Sequence, residues 1–342
     1  MTQTVKVFRG PASEWDDFVH RQAGWTHFHQ FGWRDIMQSV MGHECAYYAA
    51  RSPTGSITGV LPLVHVRSMM FGHYLVSMPF VNYGGPLGSP DSVSVLMDAA
   101  AEAYRSTGAK ALEIRARSEQ PVSLAASHDK VTVTLPLPSG ESESLWKGFP
   151  AKLRSQIRRP MKEEIEVRFG PDQVAPFYSV FAQHMRDLGT PALSRGFFRA
   201  ISDTFGDSVW FGCAYHQGQP VAGGAGFAWG TEFEMTWASS LIAYKRMSPN
   251  MLLYWSFMER AIDHGLTVFN FGRCTPEGGT HRFKRQWGGQ DEALWWYRLP
   301  SGEGRATPSP DAGAYAMAAR MWRRLPLSVA TALGPHIVRG IP

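Results

Sequence analysis

The run HRFKRQWGG (281–289) sets one lysine, Lys284, among aromatic and arginine residues and just ahead of Gly288 and Gly289. A lysine ammonium held in a partly dry cleft can stabilise the oxyanion that forms when an amine attacks an ester or thioester carbonyl. Phe283 and Trp287, four positions apart, would wall such a cleft. The alternative is an amphipathic segment with its aromatics in a core and Arg282, Lys284 and Arg285 in water. Upstream, TVFNFGRC alternates as a strand, with Asn270 on the face opposite Phe269 and Phe271 and Arg273 at the carboxyl end, where α/β proteins place ligand-binding groups. His281 and Asp187, the latter in MRDLGTP, are candidates to move a proton. The alternative for Asp187 is a structural carboxylate where a helix meets a loop.

A second arrangement suits anions. The turn YKRMSPN carries Lys245 and Arg246 just before a helix predicted to start at Ser248 and Pro249. Open N–H groups and the positive dipole end of a helix attract phosphate or carboxylate. Plain capping beside two solvated cations is the competing reading. Between Pro150 and Pro160, AKLRSQIRR places Leu153 and Ile157 on one helical face and Arg154 and Arg158 on another. With Lys152 and Arg159 these could grip phosphates, or form a solvated face pairing with Glu163, Glu164 and Glu166.

The elements that would position these residues occur twice. Ser89 and Pro90 precede an apolar-periodic run ending at Gly108, followed by the strand AKALEIRAR; Ser248 and Pro249 precede MLLYWSFMERAIDH, ending at Gly265, followed by LTVFNFGR. Serine at the N-cap, proline in the first turn and glycine past the end predict two helices of one design. A hairpin is expected upstream of each, turning near Gly55 and near Gly218. The repeat is far too long for a solenoid and predicts duplicated α/β domains with mixed sheets.

Composition agrees with packed cores: 342 residues, 44% apolar and 13% aromatic. Cys45, Cys213 and Cys274 lie far apart, which suggests neither zinc ribbon nor disulfide framework. His27 and His29 form an HxH without a third ligand nearby, so no metal and no other cofactor is expected. GxSxG, P-loop and GxGxxG motifs are absent, which removes support for hydrolase, NTPase and dinucleotide readings. The N-terminus lacks a signal-peptide core and no apolar run reaches membrane-span length, so a cytoplasmic protein is expected. A net charge of +5 permits an anionic partner without specifying one. After Leu299 the Pro/Gly/Ser-rich PSGEGRATPSPDAG reads as a linker. In the tail beyond it, Ala314, Met317, Ala318, Met321, Trp322 and Leu325 form one stripe, with Arg320, Arg323 and Arg324 off it. That stripe suits an anionic membrane face, or docking on the protein itself.

Several motifs together carry a family resemblance: FVNYGGP (80–86), KLRSQIRR (152–159), MRDLGTP (185–191), WASSLIAYKRMSPNMLLYW (237–255), FNFGRCTPEGGTHRFKRQWGG (269–289) and RLPLSVATALGPHIVRGIP at the end. With them the chain resembles, over nearly its whole length, the FemAB family of peptidoglycan interpeptide-bridge aminoacyltransferases. Within that family it looks most like the proteins associated with exosortase/PEP-CTERM exopolysaccharide systems. The resemblance implies twin acetyltransferase-like (GNAT) domains and an aminoacyl-tRNA donor. It also implies a nucleotide- or lipid-linked acceptor amine, and a Phe-Lys pair, here Phe283 and Lys284, that binds donor and stabilises the tetrahedral intermediate. Arg154 and Arg158 match the basic residues that hold precursor phosphates, and Asn82 and Tyr83 fall in the first shared motif. Where bridge-forming members use a lysine in an N-terminal helix, FGWRDIMQ offers Arg34, and the coiled-coil arm of some tRNA-using members is absent.

The expectation is therefore an α/β (α+β) protein of two tandem GNAT-like domains with mixed β-sheets, at 1–140 and 141–300, plus a linker and basic helical tail at 301–342. It would form an amide between an activated acyl donor, aminoacyl-tRNA or acyl thioester, and an amine on a nucleotide-, sugar- or lipid-linked acceptor. Tyr244, Lys245 and Asn250 would border the donor phosphates, and the tail would give peripheral contact with the inner membrane face. The rivals are an acyl-CoA-dependent N-acyltransferase, against which the glycine-free YKRMSPN counts, and a non-catalytic scaffold of envelope polysaccharide assembly.

Overall fold

A computed structural model describes residues 3–300 and 313–341. The predicted linker lies almost wholly outside the described residues. In chain order the first elements are β1 (Thr4–Val7), α1 (Ala12–His20), α2 (Gly32–Ser39), β2 (Glu44–Cys45), β3 (Tyr48–Arg51), β4 (Ile57–Leu61), β5 (Val64–Ser68), β6 (Gly72–Val76) and β7 (Leu87–Gly88). Next come α3 (Pro90–Thr107), β8 (Ala111–Ala116), β9 (Ala126–Ser127), β10 (Val131–Pro136), α4 (Ser142–Gly148), α5 (Ala151–Lys162), β11 (Glu166–Phe169), α6 (Val174–Leu188) and α7 (Arg195–Phe205). The remainder is β12 (Val209–His216), β13 (Gln219–Trp229), β14 (Glu232–Ser240), α8 (Pro249–Asp263), β15 (Val268–Cys274), α9 (Gly279–Arg285), β16 (Gln290–Ala293), β17 (Trp295–Leu299), α10 (Gly313–Trp322) and α11 (Leu327–Val338).

These elements sort into two compact units, one built on the chain up to Lys130 together with β17, the other on Val131–Glu292 with α10 and α11. The units are not two contiguous halves. Strand β10 pairs within the second unit's sheet although it precedes residue 140, and β17 pairs between β8 and β9 in the first.

The first unit holds a four-stranded sheet, β1-β3-β4-β7, and a six-stranded one, β2-β5-β6-β8-β17-β9. The predicted hairpin is β3 and β4, turning through Gly55 at φ 89°. Helix α3 starts as its sequence predicts, with Ser89 extended and its Oγ accepting from the Ser92 N–H at 3.3 Å, and stops at left-handed Gly108. It crosses over to set β6 parallel to β8, and past Val76 the chain fills the end of that pair. Ser77 N–H donates to Glu113 O at 2.9 Å, Ser77 Oγ accepts from Arg115 N–H at 2.7 Å, and Gly84 N–H donates to Arg115 O at 2.9 Å. Gly85 lies so near Ala116 that a Cβ there would meet the alanine's at 2.8 Å.

The second unit repeats the plan with a different ending. Its seven-stranded sheet runs β11-β12-β13-β14-β15-β10-β16, and the hairpin β12–β13 turns at Gly218, φ 76°. Helix α8 sets β14 parallel to β15, but only from Glu232 and Val268 to Glu234 and Asn270. Beyond that point β14 stays with β13 as far as Ser240, while β15 stays with β10 as far as Cys274. Each strand is bulged as it departs: β13 and β14 slip register at Ala225/Gly226, and β10 and β15 slip between Thr132 and Thr134 beside Gly272, φ 72°. The carboxyl ends of the parallel strands therefore part, at the end of the sheet where α8 begins. One face of the sheet carries Phe233, Met235, Phe269 and Phe271 into a core with Leu253, Phe257 and Trp287.

Three local expectations need correction. Ser248 does not cap α8: it is left-handed, φ 57° and ψ 44°, with no side-chain cap bond, because the 3-10 turn Ile242–Met247 feeds straight into the helix. Helix α5 does not stop at Pro160 but runs on to Lys162, with Pro160 buried in its last turn. The tail docks mainly through small residues: Ala319, Ala330 and Gly334 are buried, while of the predicted stripe Met317, Ala318 and Met321 stand exposed and Trp322 and Leu325 are half-buried.

Candidate functional site

Lys284 is the only buried residue of α9, at 4% exposure, which removes the solvated-surface alternative for it. Its Nζ donates to the carbonyl oxygens of Gly272 at 2.6 Å and Arg273 at 3.0 Å. Those carbonyls become available because β15 is bulged there, and only glycine takes φ 72° without strain. Burial drives the Lys284 amine down from 10.5 to about 8; Cys274 and Glu234 push it back up, and Arg273 adds to the fall. A lysine so placed gives up its proton more readily than an exposed one and is held on the β15 backbone through both carbonyls.

Phe283 packs its ring edge-on to Tyr254 of α8 at 5.0 Å and lies 6.3 Å from Trp287, and the three aromatics join the second unit's core. Gln286 Nε2 reaches Met251 Sδ at 3.9 Å, which ties the end of α9 to the first turn of α8. Phe149, at the entry to α5, stacks edge-on to Trp287 at 5.7 Å. The lysine, the start of α8 and the start of α5 thus share one corner of the second unit.

The polar lining comes from the strands. Asn270 is fully buried and saturated: its Oδ1 accepts from Thr132 Oγ1 at 2.6 Å and from Gly272 N–H at 2.8 Å, and its Nδ2 donates to Glu232 at 2.7 Å and Glu234 at 3.4 Å. Glu234, also fully buried, accepts from Thr236 Oγ1 at 3.1 Å. Asn270 thereby fixes the bulge that presents the Gly272 carbonyl to Lys284.

At the turn where sequence expects a phosphate contact, α8 opens without a side-chain cap, next to exposed Lys245 and Arg246; Asn250 is half-buried in its first turn, and Tyr244 rests 5.8 Å from His216. Arg159 Nη1 donates to Arg246 O at 3.4 Å, which brings α5 alongside this turn. The cations of α5 do not pair with Glu163, Glu164 and Glu166 as the solvated-face reading expects. Glu166 pairs with Arg168. Arg154 donates to the Lys147 and Phe149 carbonyls at 3.2 and 2.9 Å, and Arg158 lies 5.0 Å over Trp146. Among the described residues none of Lys152, Arg154, Arg158 and Arg159 has a carboxylate partner within ion-pair distance.

Other candidates stand elsewhere or are engaged. His281 Nδ1 accepts from Glu277 N–H at 3.1 Å and its Nε2 meets Asp291 of β16 at 2.9 Å, so one ring nitrogen holds the loop before α9 and the other holds the strand after it. Arg282 donates to Glu277 O at 2.7 Å in the same loop. Asp187 pairs with Arg186 at 2.7 Å at the end of α6, where Arg186 also reaches Leu325 O at 3.0 Å. Asn82 and Tyr83 are buried in the first unit, Tyr83 edge-on to Phe28 at 5.5 Å. His27 and His29 are buried there too. His29 accepts from Thr26 N–H at 3.0 Å and donates through Nε2 to Gly85 O at 2.9 Å, and among the described residues no cluster of three His, Cys, Asp or Glu could hold a metal. Sequence reading passed over Tyr254, Glu234 and Thr132. Tyr254 has a signal in its place one turn after Asn250; Thr132 has none, since it meets Asn270 across 138 positions.

Residues 149–285 match the family described as Acetyltransferase (GNAT) domain. No curated protein matches the sequence. In three dimensions the chain is similar to a protein whose structure is described as that of FemX, with TM-score 0.62, 14% identity, and 87% of this chain and 98% of that one covered. It is also similar to the C-terminal domain (DUF2156) of a putative lysylphosphatidylglycerol synthetase from Agrobacterium fabrum, with TM-score 0.59, 16% identity, and 91% and 96% covered. A tandem GNAT protein from the clavulanic acid biosynthesis pathway aligns at TM-score 0.50 and 12% identity over 90% and 100%. The chain thus has a tandem GNAT-like fold with mixed sheets, and the stretch matched as an acetyltransferase domain is the one that contains Lys284.

Proposed function

We propose that this protein is an acyl- or aminoacyltransferase that forms an amide between an activated acyl donor and an amine, with Lys284 at its chemical centre. The observation that carries the reading is the buried Lys284 ammonium, held on two carbonyls where β14 and β15 part. An acyl carbonyl in the gap would find N–H donors on one side and the Phe283–Tyr254–Trp287 wall on another. As the amine attacks, the C–N bond forms and the carbonyl oxygen takes negative charge, which Lys284 stabilises. Collapse breaks the C–O or C–S bond, and the departing hydroxyl or thiol takes up the proton the amine gives away. Lys245, Arg246, Arg154 and Arg158, with the uncapped start of α8, border the donor's phosphates, and Arg273 and Asn270 shape the floor.

An aminoacyl-tRNA donor agrees with the likeness of fold to FemX, and the acceptor would be an amine on a cell-envelope precursor or exopolysaccharide. An acyl-CoA donor is the second reading, favoured by the match to the acetyltransferase domain and by the open start of α8, whose N–H groups suit a pyrophosphate. The deciding experiment titrates aminoacyl-tRNA, uncharged tRNA and acetyl-CoA separately into the protein and into Lys284→Ala, at stated salt. Preference for charged over uncharged tRNA supports the first donor, and saturable acetyl-CoA binding alone supports the second. Binding of none of them, with Lys284→Ala fully functional in cells, overturns the enzymatic reading in favour of a scaffold.

A further inference from the structure

The two terminal helices are held to the second unit by their smallest residues. Gly189, left-handed at φ 82°, lies so close to α10 that a Cβ there would meet Ala319 O at 2.6 Å, and a Cβ on Gly334 of α11 would meet the Ala192 backbone at 3.0 Å. Spending small residues on docking turns the larger apolar ones outward. Met317 and Met321 are 62% and 67% exposed, and Val329 and Leu333 of α11 are exposed as well. Four of the ten exposed large apolar residues among those described fall in this short stretch, so the concentration is not a scatter of single surface residues. Leu188, at the end of α6 next to Gly189, is exposed too.

The charges carried by the two helices themselves have one sign. Arg320, Arg323 and Arg324 are all exposed, and the sequence from residue 313 to 338 contains no aspartate or glutamate. Along α10 and the turn after it, Arg320 and Arg324 lie three positions after Met317 and Met321, so guanidiniums flank the exposed methionines on one edge of their stripe. A helix that lies in a membrane interface needs both: apolar side chains among the acyl chains and cations at anionic headgroups. Among the described residues no helix is long and apolar enough to cross a membrane.

We infer that α10 and α11 form a docking face for an anionic lipid surface, with Met317, Met321, Val329 and Leu333 entering the interface and Arg320, Arg323 and Arg324 meeting lipid phosphates. This stands apart from the chemistry assigned to Lys284, because it is read without donor or acceptor. The test is co-sedimentation of the full chain with vesicles of mixed phosphatidylglycerol and phosphatidylcholine and with vesicles of phosphatidylcholine alone. The protein is expected to bind the mixed vesicles, to prefer them strongly, and to release in high salt. Two variants on exposed positions separate the contributions. Met317→Ser/Met321→Ser should weaken binding about tenfold or more, and loss of the three arginines should weaken it by about fivefold per charge. Failure of the wild type to bind mixed vesicles at low salt overturns the inference. So does a methionine variant that binds like wild type. A face that binds RNA through its arginines, with the methionines irrelevant and vesicles ignored, would belong to a nucleic acid instead.

Discussion

The Nζ of Lys284 lies 2.6 Å from the carbonyl oxygen of Gly272, the glycine at the bulge where β15 leaves β14. One backbone irregularity therefore lies where the parallel pairing ends and also anchors the ammonium. Burial makes this lysine costly to charge, so its titration should appear in stability and in chemistry with opposite signs.

Folded Lys284 titrates at about 8 and an unfolded lysine at 10.5, so below pH 8 both states are protonated and the full burial penalty applies. As pH rises from about 8 to 10.5 the folded state releases its proton first, and stability should rise by roughly 3 kcal/mol from this group. Amide formation should instead decline above pH 8, as the ammonium that stabilises the oxyanion is lost. Lys284→Met should abolish both pH effects and lower turnover by about a hundredfold or more while the near-ultraviolet dichroism is kept. A Lys284→Met protein with an unchanged pH–rate profile would remove the lysine from the chemistry.

Ser89 and Ser248 look alike in sequence and should respond oppositely to substitution. Ser89→Ala removes the Oγ that accepts from Ser92 and should cost about 1 kcal/mol. Ser248→Gly removes a side chain from a left-handed residue that caps nothing and should gain about 0.5–1 kcal/mol. Thermal melts should show midpoints moving a few degrees in opposite directions.

That pair also shows which features sequence could and could not give. Helix α3, its stop at Gly108, the hairpins at Gly55 and Gly218 and the parallel crossovers follow from local punctuation and periodicity, which act over a few residues. The left-handed turn at Ser248 depends on the 3-10 turn before it, and the ending of each parallel pair depends on long-range pairing: residues 77–85 bond along β8 in one unit, while in the other β14 and β15 stop pairing after Glu234 and Asn270. Lys284 and Phe283 stood out by type and spacing, but burial of the lysine was decided by Gly272 and Arg273 across a loop. The tail carried a legible amphipathic pattern, yet which stripe turned inward was fixed by how closely Gly189 and Ala192 let Ala319 and Gly334 approach.

His27 and His29 should govern the acid limit of the first unit. Burial pulls them from 6.5 to about 3 and about 4, so the unfolded chain takes up protons there before the folded one does. Stability is therefore full above pH 6.5 and is lost as pH falls toward 4, by roughly 1.4 kcal/mol for each pH unit and each histidine. Denaturant midpoints measured from pH 7 to 4 should show this, and His29→Gln should lower the slope by about one proton. A slope unaffected by His29→Gln would mean the histidines are solvated in the native state.

The cations at the start of α8 should act on affinity and leave the fold alone. Lys245 and Arg246 are exposed and have no carboxylate partner within ion-pair distance among the described residues, so Lys245→Ala/Arg246→Ala should change the melting midpoint little. If they meet donor phosphates, the double variant should weaken donor binding about tenfold or more at low salt and flatten the dependence of log affinity on log salt by close to two contacts. Arg158→Ala differs because the guanidinium stacks on Trp146, so it should lose some stability as well as affinity. Equal donor affinity for wild type and the double variant across the salt series would move the phosphate site away from α8 and leave the arginines of α5 as its only cationic border.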